Sequence, residues 1–184
     1  HEKNRQYIFI ANHKSYMDIP PIVLLKHSPL RILGKYESSK IPVFGWMYKQ
    51  AVILVDRSNA ERRSQSVREL KQAIDDGLSI FLFPEGTFNE SEQPLKSFFD
   101  GAFRIAIETQ TPIKPLLFID TMERMHFSSV FSITPGKSRV VYLADIPVAG
   151  LTLEDLPALK AKAYQLMEEG LKRYRKYPTV LSVF

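Results

Sequence analysis

Short apolar runs alternate with stretches of helical periodicity along this chain. The apolar runs predict strands at Tyr7 to Ala11, Arg31 to Gly34, Val52 to Val55, Ser79 to Phe83, Ile113 to Ile119, Val130 to Thr134 and Arg139 to Leu143. The periodic stretches predict helices at Ile19 to Lys26, Ile41 to Gln50, Ala60 to Asp76, Gly101 to Thr109 and Leu153 to Arg175. This alternation predicts a layered α/β fold, with a mostly parallel or mixed central sheet of about seven strands flanked by helices.

The helix predicted from residue 60 has the clearest apolar face. Its Val67, Leu70, Ala73 and Ile74 fall at helical spacing, and Gly77 supplies a stop. The last predicted helix also places its large apolar side chains on one face, which favours simple packing against the sheet. Both helices therefore fit the layered arrangement.

The chain shows no internal division. No repeat, low-complexity segment or flexible linker separates one part from another, so we expect residues 1–184 to form a single domain. The polar stretch Asn89 to Lys96 carries charge without periodicity and follows a candidate site. We therefore predict a mobile loop there that is able to close over a substrate.

Composition and charge narrow the chemistry. The 184 residues are 45% hydrophobic, which is typical of a globular protein with a sizeable core. The absence of cysteine excludes disulfides, thiolate metal sites and a cysteine acyl-enzyme. The net charge of +5 favours an anionic partner, which is a phosphate, a nucleic acid or an anionic membrane surface.

The apolar runs also bear on membrane insertion. The longest are far shorter than the roughly 20 residues that span a bilayer, so we predict no membrane-crossing segment in this chain. The chain begins at His1 without an initiator Met or a signal peptide, and a strand-like run follows almost at once. We expect the native protein to have a further N-terminal segment.

Polar motifs follow two of the predicted strands. Asn12-His13-Lys14-Ser15-Tyr16-Met17-Asp18 comes after the first strand, and Phe83-Pro84-Glu85-Gly86-Thr87 ends the fourth. Open α/β sheets build ligand sites at strand ends. A histidine, an aspartate and a glutamate in these positions indicate proton-transfer chemistry.

The spacing of His13 and Asp18 leaves two interpretations open. Residues five apart on a continuous helix point about 140° away from each other, so these side chains meet only if the segment bends. Pro20 and Pro21 favour a helix that starts near Asp18 and leaves His13 on the preceding loop. In one interpretation Asp18 is an N-cap and His13 is a structural histidine. In the other, Asp18 accepts from Nδ1–H and leaves Nε2 free to take a hydroxyl proton.

The second motif also has two interpretations. Gly86 permits a tight turn, and the exposed amides of Gly86 and Thr87 beside Glu85 are suited to an anion or a hydroxyl. The alternative is a polar loop between a strand and a helix.

Three basic residues near other strand ends are further candidates. Arg57 closes a predicted strand, and its structural alternative is a surface pair with a nearby carboxylate. Lys35 and Lys40 flank a strand-to-helix loop, and each alone is typical of a solvated lysine. Together with the two motifs, they place candidate groups at successive strand ends.

Four short blocks follow one another along the chain. They are Asn-His-x-Ser-x-x-Asp, an apolar strand ending in Asp56-Arg57, Phe-Pro-Glu-Gly-Thr and Thr-Pro-Ile-Lys-Pro-Leu. In this order they resemble the four blocks of the PlsC-type glycerolipid acyltransferases, the 1-acyl-sn-glycerol-3-phosphate acyltransferases. The match runs from about Asn12 to Pro115, and Lys35 to Gly45 is similar to the family's segment between its first two blocks.

The resemblance implies direct acyl transfer without an acyl-enzyme. The donor would be acyl-CoA or acyl carrier protein, and the acceptor would be the sn-2 hydroxyl of a lysophospholipid, 1-acylglycerol-3-phosphate, giving phosphatidic acid. By resemblance, His13 is the general base and Asp18 orients it. The family implies no bound cofactor and no metal.

The resemblance also assigns substrate-binding residues. The acceptor's phosphate would be held by Arg57, Lys35 and Lys40. The acceptor's glycerol end would be lined by Glu85, Gly86 and Thr87. The block Pro112 to Pro115 would shape the floor of the site or the acyl channel.

Two positions depart from the family's usual pattern. Ala51 stands where glycine is usual, which narrows the space for an acceptor headgroup. Phe88 stands where many members carry arginine, which removes one phosphate contact. Either the acceptor differs, or Arg104 and the lysines take the place of that arginine.

Other functions stay open from the sequence. The same chemistry on glycerol 3-phosphate, a lyso-ornithine lipid or another lysophospholipid is the first alternative. A non-catalytic lipid-binding module is the second, and the intact His13, Asp18 and Glu85 argue against it. A nucleic-acid partner is not expected, because only the tail Lys172 to Tyr177 resembles a basic stripe with aromatics, and it is more simply a basic helix end.

The lipid substrates imply a location as well. We expect association with the cytoplasmic face of the inner (plasma) membrane, through an anionic membrane surface. The candidate docking segment is Ile41 to Gln50, where aromatic residues gather beside Lys40 and Lys49. The alternative is a helix buried between the sheet and an N-terminal segment.

Overall fold

A computed structural model describes residues 5–23, 29–35, 52–55, 60–126 and 132–176. The strands within these ranges are β1 (Ile8–Ala11), β2 (Leu30–Lys35), β3 (Val52–Val55), β4 (Ser79–Leu82), β5 (Ile113–Phe118) and β6 (Val140–Tyr142). The helices are α1 (Ile19–Val23), α2 (Ala60–Asp75), α3 (Gly101–Thr109), α4 (Thr121–Arg124) and α5 (Leu156–Lys176). Short 3-10 turns precede α1 and α5, at Tyr16–Asp18 and Leu153–Asp155.

The described strands form one six-stranded sheet in the order β3-β2-β4-β1-β5-β6. Neighbouring strands are parallel except for β5 and β6, which are antiparallel. This mixed sheet with flanking helices confirms the predicted α/β fold. β1 lies in the middle, with Phe9 opposite Phe81 on one side and Lys114 on the other.

Both faces of the sheet are buried, which explains the uninterrupted apolar runs in the sequence. Ile8 and Ile10 of β1 belong to a core that includes buried residues of α2, α3 and α5. Tyr7, Phe9 and Ala11 point to the other face, where a second, aromatic-rich core contains Ile22 of α1 and strand side chains. Alternate side chains of one strand therefore serve two cores.

Two predicted elements need comment. The seventh strand, expected at Val130 to Thr134, is wrong over its described part, because residues 132–134 form no strand. Ile133 is 63% exposed, and the Thr134 amide donates to the Arg124 carbonyl at 2.8 Å. The helix predicted at Ile41 to Gln50, and the docking segment with it, lie outside the described residues. No helix in the described part of the chain has the length and apolar character that spanning a bilayer requires.

Asn12 extends the pairing of β1 and β5 beyond the end of β1. Its side-chain Nδ2 donates to the Phe118 carbonyl, and its Oδ1 accepts from the Phe118 amide, both at 2.9 Å. The side chain is buried and imitates the two hydrogen bonds that a backbone neighbour would make. The chain leaving β1 is therefore held beside β5 for one further residue.

We predict that Asn12→Ala lowers the free energy of unfolding by about 2–4 kcal/mol, because it leaves two buried backbone groups of Phe118 without partners. Denaturant unfolding measures the change. The control is Gln65→Ala, which removes an exposed side-chain bond to Glu69 and should cost less than about 0.5 kcal/mol. Equal effects of the two substitutions would contradict the role given to Asn12.

Candidate active site

The two polar motifs meet at one edge of the sheet. β1 and β4 are adjacent and parallel, so the segments that follow them leave from the same edge. His13 follows β1, and Glu85 follows β4. The His13 amide donates to Glu85 Oε1 at 3.0 Å, which joins the two motifs directly.

A capping box bends the first motif. The Ser15 hydroxyl accepts from the Met17 amide at 3.0 Å, and the Asp18 carboxylate accepts from the Ser15 amide at 2.9 Å. These two bonds start the 3-10 turn and fold Asp18 back over the residues before it. The Ser15 hydroxyl also donates to the Met125 carbonyl at 2.5 Å, which ties the turn to the chain after α4.

The bend brings His13 and Asp18 together. His13 Nδ1 lies 2.8 Å from Asp18 Oδ2, which also accepts from the Lys14 amide at 2.8 Å. The Asp18 side chain is fully buried, whereas the His13 side chain is 14% exposed. A carboxylate only accepts, so a neutral imidazole here carries its proton on Nδ1 and its lone pair on Nε2. Ser15 is the N-cap, so Asp18 completes the capping box and also contacts the histidine.

Aromatic rings surround the imidazole. Phe83 stacks on it, with ring centroids 3.8 Å apart and an angle of 11° between the planes. Phe88 contacts it at 4.3 Å with a tilt of 49°, and Tyr16 meets Phe88 edge-on at 4.7 Å. The ring of His13 is therefore positioned by packing as well as by Asp18.

Glu85 binds backbone groups rather than facing solvent. Its Oε1 accepts from the His13 amide and its Oε2 accepts from the Lys96 amide at 2.8 Å, and the residue is 1% exposed. The His13 carbonyl accepts from the Asn89 amide at 2.7 Å. Burial raises the pKa of Glu85 to about 7, although the two amides act to lower it. Both backbone groups of His13 are thus held by the segment after β4.

Gly86 and Thr87 form the turn after Glu85. Gly86 has a φ of 74°, a left-handed conformation that glycine adopts without strain, and its amide donates to the Phe83 carbonyl at 3.0 Å. The Thr87 side chain is exposed, and its hydroxyl donates to the Phe88 carbonyl at 3.3 Å. The predicted tight turn is present, and the Gly86 amide donates the hydrogen bond that closes it.

The loop predicted to be mobile, Asn89 to Lys96, is tethered at several points. The buried Lys14 amine donates to the carbonyls of Ser91 and Gln93, at 3.1 and 3.0 Å. The Asn89 side chain donates to the Gln93 carbonyl at 3.0 Å. These bonds argue against free closure of the loop, and two of them depend on Lys14, which is distant in sequence.

The basic candidates are only partly within the described ranges. Lys35 ends β2, where its backbone pairs with Val55 at the same edge of the sheet as His13. Lys40 and Arg57 lie outside the described residues. Arg104, the suggested substitute for the missing arginine, pairs with Glu108 on its own helix at 3.6 Å.

The fourth block begins at the opposite end of the sheet from the histidine and runs alongside β1. Ile113 pairs with Ile8 at the beginning of β1, and Leu116 pairs with Ala11 at its end. The Lys114 amine forms an ion pair with Asp145, which also accepts from the Tyr7 hydroxyl at 3.0 Å. The block is therefore a buried part of β5 that begins away from His13.

Comparison with known proteins supports a family assignment. The sequence profile of a family described as acyltransferase matches residues 1–119. A 1-acyl-sn-glycerol-3-phosphate acyltransferase from Haemophilus influenzae is 31% identical over 166 residues, which are 89% of this chain and 68% of that protein. The chain belongs to the acyltransferase family. The resemblance drawn from the four sequence blocks is thus confirmed.

Other relatives of this acyltransferase-family chain agree. The 1-acyl-sn-glycerol-3-phosphate acyltransferase beta of Homo sapiens is 26% identical over 179 residues, which are 96% of this chain and 64% of that protein. The crystal structure of the 1-acyl-sn-glycerophosphate acyltransferase PlsC from Thermotoga maritima shares the fold, with a TM-score of 0.78 and 24% identity over 97% of this chain and 70% of that one. The chain spans roughly two thirds of the length of these relatives.

Some residues that build this acyltransferase site were not predicted. Lys14 and Asn89 hold the loop after β4, and the sequence offers no local signal for a buried lysine. Phe83 and Phe88 pack on His13, and their only signal is that they flank the Pro-Glu-Gly-Thr turn. Among the described residues, no group of three or more His, Asp or Glu is arranged to hold a metal ion.

The raised pKa of Glu85 predicts a pH-dependent stability. The unfolded chain loses this proton near pH 4.5, whereas the folded chain holds it until about pH 7. The folded state therefore binds more protons between these values, and the contribution of Glu85 is full below pH 4.5 and is lost as the pH rises through 7. We expect a loss on the order of 3 kcal/mol.

Denaturant unfolding on either side of this pH window measures the effect. Glu85→Gln cannot titrate, so its free energy of unfolding should fall less than that of the wild type across the window. Glu90→Gln, at an exposed position of the following loop, is the matched control and should follow the wild type. The same pH dependence in Glu85→Gln and the wild type would show that Glu85 does not carry the effect.

Proposed function

We propose that this chain transfers a fatty acyl group from an acyl thioester to the sn-2 hydroxyl of 1-acylglycerol-3-phosphate, giving phosphatidic acid. The observation that carries the proposal is the contact of His13 Nδ1 with the buried Asp18 carboxylate, which leaves Nε2 as the proton acceptor. The Haemophilus influenzae and Homo sapiens relatives are named as 1-acyl-sn-glycerol-3-phosphate acyltransferases, which supports the same acceptor.

The proposed reaction is a direct transfer with His13 as the general base. Nε2 takes the proton of the acceptor hydroxyl while the hydroxyl oxygen attacks the carbonyl carbon of the thioester. The tetrahedral intermediate then breaks its carbon–sulfur bond, and the leaving thiolate takes the proton from the imidazolium. Asp18 stabilises the imidazolium and keeps the ring oriented. The products are the new ester and a free thiol, and no acyl-enzyme is needed.

The substrate-binding roles are those that the family resemblance implies. We propose that Lys35, Lys40 and Arg57 hold the acceptor's phosphate, because their positive charges suit it, and Lys35 ends β2 at the same edge of the sheet as His13. Glu85 is buried and bonded to two backbone amides, which favours positioning of His13 over direct contact with the acceptor. Gly86 and Thr87 would line the glycerol end, with Thr87 presenting its exposed hydroxyl.

The setting of the reaction follows from its substrates. The donor would be acyl-CoA or acyl carrier protein, and the acceptor and product are lipids. The chain would therefore act as a membrane-associated enzyme on the cytoplasmic face of the inner (plasma) membrane. The net charge of +5 is suited to an anionic membrane surface.

A second acceptor class is the main alternative. Phe88 contacts the imidazole where many family members carry arginine, and this favours an acceptor with less charge beside the reacting hydroxyl. A lyso-ornithine lipid or another lysophospholipid fits that description. Mass spectrometry of products, from a labelled thioester and a panel of lyso-acceptors and glycerol 3-phosphate, distinguishes these acceptors. Absence of any transfer would favour a non-catalytic lipid-binding module.

We predict that His13→Ala lowers turnover by about 10²–10⁴-fold, because it removes a positioned base. Asp18→Asn should also be severe, since an amide at this position favours the wrong tautomer of the imidazole. Steady-state kinetics measures both, and circular dichroism checks the fold. His126→Ala, which also removes an imidazole near this edge, is the control. Retention of more than about a tenth of wild-type turnover by His13→Ala would reject the base assignment.

We predict that Arg57→Ala acts mainly on acceptor binding. A charge-assisted bond to phosphate is worth on the order of 1.5–3 kcal/mol, so the KM for 1-acylglycerol-3-phosphate should rise about tenfold or more. The measurement uses saturating donor, and Arg31→Ala, at an exposed position of β2, is the control. An unchanged KM would remove Arg57 from the phosphate site and support an acceptor without that group.

A further inference from the structure

An exposed aromatic pair lies beside the histidine. Tyr16 is 40% exposed, which makes it one of the few exposed large hydrophobic residues in the described part of the chain. Its ring meets Phe88 edge-on at 4.7 Å, and Phe88 contacts the imidazole at 4.3 Å. We call Tyr16 and Phe88 the aromatic lip. It forms a continuous apolar path from solvent to the ring of His13.

The lip is built on rigid parts of the structure. Tyr16 begins the 3-10 turn that the capping box holds, and the Ser15 hydroxyl ties this turn to Met125. The Phe88 carbonyl accepts from the Thr87 hydroxyl, and the next residue, Asn89, donates its amide to His13. The two rings therefore keep a defined position relative to the imidazole, without support from the protein core on the outer side of Tyr16.

We propose that the aromatic lip is a specificity-determining element that contacts the acyl chain of the acceptor. This inference rests on the proposed function and deepens it. The acceptor's hydroxyl has to come within about 3 Å of Nε2, so the acceptor's next carbons lie against the groups that surround the imidazole. A lysolipid buries methylenes on the lip, whereas a water-soluble polyol phosphate has none to bury. The lip thus favours lysolipid acceptors over glycerol 3-phosphate.

The experiment measures kcat/KM for 1-acylglycerol-3-phosphates of increasing chain length, each below its critical micelle concentration. Each methylene that lies on the lip should raise kcat/KM about fourfold in the wild-type enzyme. Tyr16→Ser should flatten this dependence, whereas Tyr16→Phe should preserve it. Because Tyr16 is exposed, the substitution leaves the core intact.

Two controls separate the lip from general effects. Leu153→Ser replaces a residue of similar exposure, 43%, in the turn before α5, and should keep the wild-type chain-length dependence. The same series with donors of increasing chain length should respond equally in the wild type and in Tyr16→Ser. A further comparison uses the lip itself. Phe88→Leu keeps an apolar side chain at position 88. It should therefore weaken the dependence on acceptor chain length less than the double variant Tyr16→Ser/Phe88→Ser does.

The outcomes are distinguishable. An acceptor dependence that is flattened in Tyr16→Ser and restored in Tyr16→Phe supports the proposal. An unchanged dependence in Tyr16→Ser, or a change with donor length alone, overturns the lip while leaving the proposed function in place. Absence of transfer to any lysolipid by the wild-type protein rejects the proposed function, and the lip with it.

Discussion

The parallel pairing of β1 with β4 is the constraint on which the site depends. Because these strands are neighbours that run in the same direction, the residues that follow them lie close together at the carboxyl ends of the strands. Hydrogen bonds to both backbone groups of His13 join the two segments. Glu85 accepts from the His13 amide, and Asn89 donates to the His13 carbonyl. The position of the histidine is therefore determined by the strand order.

Two buried carboxylates serve this arrangement in different ways. Asp18 receives two backbone amides and the imidazole on one oxygen, so it organises the 3-10 turn and the histidine together. Glu85 divides its two oxygens between His13 and Lys96, so it joins the segment after β1 to the loop after β4. Burial raises the pKa of Glu85, which means that the ionised carboxylate is less stable in the folded protein than in water.

Local pattern was sufficient for the six observed strands and the long helices, because the spacing of their apolar residues reflects which side chains are buried. The predicted first and last residues of α3 and of β3 are those observed. The strand predicted at Val130 to Thr134 was wrong in its described part, since Ile133 has β-branched character but lies in an exposed irregular segment. The contact of His13 with Asp18 belongs to one of the two interpretations of this motif, and the capping box of Ser15 produces it. The role of His13 as the general base stays a prediction.

The local sequence pattern did not predict the long-range polar contacts. The sequence around Asn89 has the composition of a mobile loop, and only the fold shows that Lys14 reaches its carbonyls. The role of Asn12 as a substitute for strand backbone is also invisible locally, because it depends on Phe118. Lys40 and Arg57 lie outside the described ranges, so their assignment still rests on the family resemblance.

The burial of Lys14 has a consequence for chemical selectivity. A lysine next to the proposed general base of an acyltransferase is a rival nucleophile, since an unprotonated amine attacks thioesters more readily than a hydroxyl does. Here the amine is turned away to the carbonyls of Ser91 and Gln93, and the residue is only 5% exposed. The same bonds that order the loop therefore also engage this amine, which lowers its availability as a nucleophile.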